Sequence, residues 1–159
     1  LSMAIMFFTN YTDYSLDAVR EMQMDYATVT GLSDAGAHVS LIFDAVNPTY
    51  QLTYWARDRS RGETIPLGQV IHRAARRNAQ LFGFNDRDHI EIGKKADINV
   101  IDFERLSLGD LHIRQDLPAG GKRLMQGASG YVACLINGQV TRRHDVATGF
   151  YPGRLIRSE

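Results

Sequence analysis

The sequence predicts an α/β chain in two parts, an α/β portion reaching to about residue 87 and a small β portion after it. Three observations predict this. A continuous apolar run, Leu1 to Phe8, is followed by a helical pattern and then a β-branched run, Ala27 to Leu32, within about thirty residues, which is the grammar of a βαβ unit. Helical periods then dominate from Pro48 to Gly83, and from Asp88 onward short strand-like runs alternate with turn residues. With 159 residues, the chain is one domain of ordinary size, or one domain's worth of material shared between two incomplete ones.

Each element has a local reason. Leu1 to Phe8 lacks the basic leader and small-residue cleavage site of a signal peptide and is too short to span a bilayer, so it reads as a strand buried on both faces. Ser15 is a good cap for a helix over residues 16–24, in which Leu16, Val19 and Met22 recur at a helical interval. Ala27 to Leu32 reads as the next strand, parallel to the first, which delivers its following loop to the carboxyl edge of the sheet.

Pro48 to Arg59 is expected to form a helix closed near Gly62, with Leu52, Trp55 and Ala56 on one face, packing against the sheet. A second helix starts at Ile65-Pro66, where Leu67, Val70, Ile71, Ala74 and Ala75 fit an amphipathic template, and a short helix runs from Asn78 to Gly83. The arginines at 57, 59, 61, 73, 76 and 77 interleave with the apolar stripes as solvated helix faces do, and receive no binding role. Beyond a boundary at 84–89, Ile90 and Ile92 flank a turn at 93–95, and Asp97 to Asp102 reads as a strand. Residues 117–122 read as a loop. Tyr131 to Ile136, then Asn137-Gly138, then Gln139 to Arg143 is the strongest hairpin signal, because Asn-Gly accepts the positive φ that a type I′ turn demands.

Composition narrows the function. Eighteen Lys and Arg balance eighteen Asp and Glu, so no overall field draws nucleic acid or an anionic membrane, and neither is expected as a partner. A single cysteine, Cys134, fits a reducing compartment, taken as cytoplasmic, and excludes a thiolate metal cluster within one chain. There is no phosphate loop, nucleophile elbow or CxxC, and no two histidines have a metal-ligand spacing.

The stretch GLSDAGAHVS, residues 31–40, carries the chemistry that the chain does show. Asp34 would sit at the carboxyl end of a parallel strand among tiny residues, where a carboxylate can meet a ligand or an ion; Ser-Asp before small residues also begins turns and helix caps. Both readings stand. His38 follows four residues on and can equally bond a backbone carbonyl.

The segments NY (10–11), SLDAVREM (15–22), TVTGLSDAGAHV (28–39), GKKADINVID (93–102), DLPAGGKR (116–123) and GYVACLING (130–138) together resemble the C-terminal part of the N-acyl-D-amino-acid deacylase (D-aminoacylase-like) branch of the amidohydrolase superfamily. The Gly-x-x-Ala-Asp strand and the later Asn-Gly hairpin are general to the superfamily, while SDAGAH and DLPAGG point to this branch. The resemblance implies the C-terminal fragment of a (β/α)₈ TIM-type barrel in residues 1–87, with strand seven at Leu1 to Phe8 and strand eight at Ala27 to Ser33. Residues 88–159 would be the C-terminal strands of a small β-sandwich. It further implies zinc as cofactor, with Asp34 as a metal ligand and the general base that takes the proton of a zinc-activated water during amide hydrolysis. Ser33 and His38 are implied as substrate-binding residues, and an N-acyl amino acid or related amide as substrate.

One departure shapes the expectation. The His-x-His pair and the other histidine ligands of the family belong to the first part of the barrel and are absent here, and a TIM barrel needs about 250 residues. The chain, which begins at Leu1, is therefore expected to be a partial chain, inactive alone, that self-associates to cover exposed barrel edges. The alternatives are a cyclic-amidase fragment of the dihydroorotase or hydantoinase kind, or a non-catalytic binding or oligomerisation module.

Overall fold

A computed structural model describes residues 12–157. The expected first strand, Leu1 to Phe8, lies outside the described residues. Helix α1, Asp17–Met24, starts where Ser15 predicts: its hydroxyl accepts the Asp17 N–H at 3.1 Å and donates to the Asp17 carboxylate at 2.8 Å. The second helical stretch, α2 (residues 47–58), opens as an α turn over Asn47–Tyr50 with Pro48 in its first turn, then widens to π register over Gln51–Asp58. The third, α3 (residues 67–81), runs α over Leu67–His72, π over Arg73–Arg77 and α again over Asn78–Leu81. It is thus one stretch and not the two helices expected. Within it Val70 and Ala79 are buried, while Ile71, Ala74 and Ala75 face solvent. The wide π turn shifts the later residues around the axis, so a 3.6-residue template no longer marks the inward face at Ala74 and Ala75.

Trp55, Ile65 and Val70 form the buried centre of this helical half, packed by Leu16, Val19, Leu52 and Tyr54 among others. Trp55 is a packing residue as expected, but it packs against helical residues and Ile65 and not against the sheet. The Ile65 N–H donates to the Trp55 carbonyl at 2.7 Å, so the chain after α2 folds straight back over that ring. Arg59 is the unusual member. Its side chain is fully buried, lies over the Trp55 ring at 5.0 Å, and donates to the carbonyls of Arg61 at 3.1 Å and Glu63 at 2.7 Å and to the Asp17 carboxylate.

The strands are β1 (Ile98–Ile101), β2 (Ser107–Leu117), β3 (Gly121–Ser129), β4 (Tyr131–Ile136), β5 (Gln139–Arg143) and β6 (Val146–Ala147). One antiparallel sheet has the order β1-β4-β5-β6, and β2 pairs with β3 as a separate antiparallel ribbon. The β4–β5 hairpin falls on the predicted residues, with Asn137 at φ 49° and Gly138 at φ 78°. Residues 118–120 make a tight 3₁₀ turn between β2 and β3, so the expected loop there is the tip of a hairpin that sequence reasoning did not find. At Gly130, φ is +106° and an added Cβ would lie 2.7 Å from the Leu106 Cα; only glycine lets these two backbones meet.

Arg57 straps the helical half to the strands. It donates to the carbonyls of Phe103, Glu104 (3.3 Å) and Leu106 (2.8 Å), and its guanidinium lies 5.3 Å from the centre of the Phe103 ring. Farther along, the hydroxyls of Thr49 and Tyr131 meet at 2.7 Å.

One expected strand is corrected. Ala27 to Leu32 forms no strand; the carbonyls of Thr28 and Thr30 are taken by side chains of α3 instead of a ladder. The turn expected near 93–95 is present, and Ile90 and Ile92 beside it stand in solvent. The described residues thus form a mixed α/β chain whose paired strands are all antiparallel; neither a parallel barrel sheet nor a closed sandwich is seen among them. No described helix is long and apolar enough to cross a membrane.

Candidate functional site

Ser33, Asp34 and His38 occupy one tight loop between α1 and α2. The Ser33 hydroxyl accepts the Ala35 N–H at 3.4 Å, the Asp34 carbonyl accepts the Ala37 N–H at 2.9 Å, and the Gly36 carbonyl accepts the Val39 N–H at 3.0 Å. Across its base the Gly36 N–H donates to the Ile42 carbonyl at 3.0 Å. Gly36, His38 and Val39 all have positive φ, at 88°, 53° and 62°, which lets so short a segment close on itself.

This geometry bears on what Asp34 does. The turn is closed by the Ser33 hydroxyl and by backbone carbonyls. The Asp34 carboxylate takes no hydrogen bond in it, and the residue is exposed among exposed Ala35, Gly36 and Ala37. The small residues leave open space: a Cβ added at Gly31 or Gly36 would meet nothing within 4 Å. His38 is exposed and Ser33 half-buried. The three share the loop, and no hydrogen bond joins the side chains of Asp34 and His38 among the described residues.

The path into the loop is set by α3. Arg73 donates to the carbonyls of Met24 (2.7 Å), Asp25 (3.1 Å) and Thr28 (3.2 Å), and the Asn78 amide donates to the Thr30 carbonyl at 2.8 Å. The Thr28 and Thr30 carbonyls are acceptors of the kind a strand would have offered to a neighbour, while those of Met24 and Asp25 lie at the end of α1. Arg73 and Asn78, positioning residues for the Asp34 loop, were missed by sequence reasoning. Their signal is a five-residue separation, which a π turn brings to one side of a helix; nothing in the local sequence announces that turn.

The densest charge lies elsewhere, at 86–97. Asp88 is nearly buried, accepts from Lys94 and His89 at 2.6 Å each, and faces Arg76 at 3.9 Å. The Lys94 ammonium, then the His89 imidazole, hold its carboxyl below the usual carboxylate range against the opposing effect of desolvation. His89 also faces Glu91 at 3.0 Å. Asp86, Asp88 and Asp97 are each paired with a lysine or an arginine here, so this is a structural knot of ion pairs.

The fit to zinc fails among the described residues. A zinc site takes three or four protein ligands, and no group of three or more His, Cys, Asp and Glu side chains is placed to hold a metal there. Asp34 supplies one ligand at most.

Comparison with known proteins gives one match. A family model described as the amidohydrolase family covers residues 4–142, a span that includes the Asp34 loop, all three helices and most of the strands. No curated protein and no solved structure matches the chain. With the family model covering most of its length, the chain belongs to the amidohydrolase family, and its chemistry is that of a hydrolase.

Proposed function

We propose that the chain is the C-terminal part of an N-acyl-amino-acid deacylase of the D-aminoacylase type, which hydrolyses the linear amide C–N bond of an N-acyl amino acid. Asp34 is its general base. It accepts the proton of the attacking water and returns it to the departing amine, and Ser33 and His38 contact substrate from the same loop. The observation that carries this reading is the Asp34 carboxylate itself, free of the turn that presents it, inside the family match. A carboxylate used only to form a turn would accept the turn's N–H groups.

Zinc is the cofactor of this reading, and its remaining ligands are assigned to protein outside residues 12–157. The exposed side chains of Leu32, Val39 and Leu41 beside Asp34 support a loop completed by further protein, whether another part of the same enzyme or a second copy.

The test is deacylation of N-acetyl amino acids of both chiralities by the zinc-loaded protein. Asp34→Asn should lower kcat by about 10²–10⁴-fold with KM little changed, while the 159-residue chain alone should show no turnover. An unchanged kcat in Asp34→Asn would remove Asp34 from the chemistry. Turnover of cyclic amides but not linear ones would transfer the chain to the cyclic amidases.

A further inference from the structure

β2 and β3 make a sheet of two strands, separate from the four-stranded one. Such a ribbon is marginal in water unless further strands and an apolar face support it. β3 holds one edge of β2. Along the other edge no strand lies among the described residues, and residues 109–116 are all exposed. An open edge of this kind is a template for another strand.

The residues on that edge decide which strand fits. Residues 111–114 pair regularly with β3, between register shifts at 108–111 and 114–117, and Asp110 adjoins them. Directly opposite residues of antiparallel neighbours share a face, so β2 can meet its own copy only about a two-fold axis through a residue. With that axis at His112, Asp110 lies opposite Arg114 of the second copy and Leu111 lies opposite its Ile113, each twice by symmetry. Moved one residue on, to Ile113, the axis would set Asp110 against Asp116; moved one residue back, to Leu111, it would set Arg114 against Leu108.

Both charges are available. Asp110 is bonded through its carbonyl, to which the His112 ring donates at 3.1 Å, and its carboxylate has no partner among the described residues. Arg114 is exposed and faces Asp116 at 3.3 Å, but Arg123 already donates to both oxygens of Asp116 at 2.7 Å. The apolar pair is open as well. Ile113 lies opposite Leu124 in β3; Leu124 is buried, whereas Ile113 is 53% exposed and Leu111 37%. The covered side of the ribbon thus continues outward as bare apolar surface.

We propose that two copies of this chain join through the β2 edge about a two-fold axis at His112, forming a four-stranded antiparallel sheet of order β3-β2-β2-β3. Leu111 and Ile113 of each copy cover those of the other, and Asp110 pairs with Arg114 across the axis at both ends. The ribbon is rooted where the Leu106 and Gly130 backbones meet and turns at 118–120, so an axis at its middle sends the two roots to opposite ends of the sheet. The bulges bend β2 on either side and confine the pairing to five residues. Because the two-fold uses one patch on both copies, the contact closes as a dimer and does not grow into a fibre. Ser33, Asp34 and His38 take no part, so the dimer is independent of the hydrolase reading.

Sedimentation equilibrium of the 159-residue chain tests this. So short an edge is smaller than a standard interface, and association is followed up to about 500 µM protein. A monomer–dimer equilibrium is expected, weakened at least about tenfold by Asp110→Lys or by Arg114→Asp, each of which sets like charges opposite twice. The double reversal Asp110→Lys with Arg114→Asp should restore the dimer to within about threefold, which a variant that had merely lost its fold could not do. In a Cys134→Ser background, His112→Cys should oxidise to a linked dimer, since Cα atoms at the axis lie about 4.5–5.5 Å apart. Gln115→Cys, about 20 Å from its copy, should not. A chain monomeric at every concentration would overturn the proposal and leave the edge to a different partner. A dimer indifferent to both single reversals, a double reversal no tighter than the singles, or equal linking at 112 and 115 would overturn it too.

Discussion

Replacing Arg59 by Met tests whether the buried guanidinium holds the helical core by its shape or by its charge. Met keeps an unbranched stem of similar length over Trp55, so the loss isolates the guanidinium. What is lost is one cation–π contact, worth up to about 2 kcal/mol when desolvated, and the bonds to the Arg61 and Glu63 carbonyls and the Asp17 carboxylate. Each such bond contributes about 1.5–3 kcal/mol when made to or from a charged group. Against this stands the relief of a guanidinium's desolvation, several kcal/mol. Asp17 is 68% exposed in its side chain and rehydrates once abandoned, as do the carbonyls of the exposed residues Arg61 and Glu63. The cost therefore falls short of the roughly 3–5 kcal/mol typical of an orphaned buried charge, and a loss of about 2 kcal/mol is expected. Urea unfolding followed by Trp55, the sole tryptophan, and by far-UV circular dichroism measures it. Arg59→Lys should be no more stable than Arg59→Met, because an ammonium cannot reach three separated acceptors in one plane. Wild-type stability in Arg59→Lys, or a change below about 0.5 kcal/mol in Arg59→Met, would refute the reasoning.

Further perturbations bear on other parts of the structure. Gly130→Ala drives a Cβ into the Leu106 backbone at positive φ and should cost about 2 kcal/mol or more, read as a lowered urea midpoint; an unchanged midpoint would show that the two backbones can part freely. Asp17, Asp88 and Asp116 are held below the ordinary carboxylate value, Asp17 by the Ser15 hydroxyl and then Arg59, Asp88 chiefly by Lys94, and Asp116 chiefly by Arg123. Because the folded values lie below the unfolded ones, the stability these groups add is complete above the ordinary value of 3.8 and disappears as pH falls through the folded values. The urea midpoint should thus fall between about pH 4 and about pH 2, and a flat profile there would contradict the pairings. Burial pushes the Cys134 thiol up, so iodoacetamide at neutral pH should alkylate the folded chain at least about tenfold more slowly than the urea-unfolded one. Equal rates would place Cys134 in solvent.

What could be read from the sequence depended on whether the determining contacts were local. The β4–β5 hairpin was legible because its turn demands positive φ at two successive residues and Asn137-Gly138 meets that demand without help from elsewhere. Helix α1 was legible from Ser15, whose hydroxyl accepts the N–H of Asp17, the first helical residue, although the cap position itself falls to Leu16. The β2–β3 ribbon was not: β2 is exposed along nearly all its length, so no alternation of apolar and polar residues was there to find. Facing glycines draw its strands together, Gly109 lying where a Cβ would meet the Gly127 carbonyl at 3.3 Å. Ala27 to Leu32 misled for the opposite reason. Its β-branched residues suit a strand, but Arg73 and Asn78, more than forty positions later, take the carbonyls that a neighbouring strand would have used. At the candidate site, the turn was readable from Ser33, Asp34 and Gly36. The freedom of the Asp34 carboxylate was not, since it depends on which oxygen of the loop accepts each N–H.

The Arg57 strap also governs how the two halves respond to stress. Three carbonyls of residues 103–106 converge on one guanidinium carried by α2, while the connection along the chain, residues 82–97, contains no helix or strand. Force or denaturant acting between the halves is therefore borne by a cross-brace and not by the covalent link. As long as that brace holds, the helical half and the four-stranded sheet melt as one cooperative unit; once it opens, the coupling that remains is the Thr49–Tyr131 hydroxyl pair and the Asp88–Arg76 ion pair of the connecting segment, each weaker than the three-carbonyl brace. Amide exchange in β1 and β4 would then track exchange in α2 across the chain, in preference to the residues adjoining them in sequence.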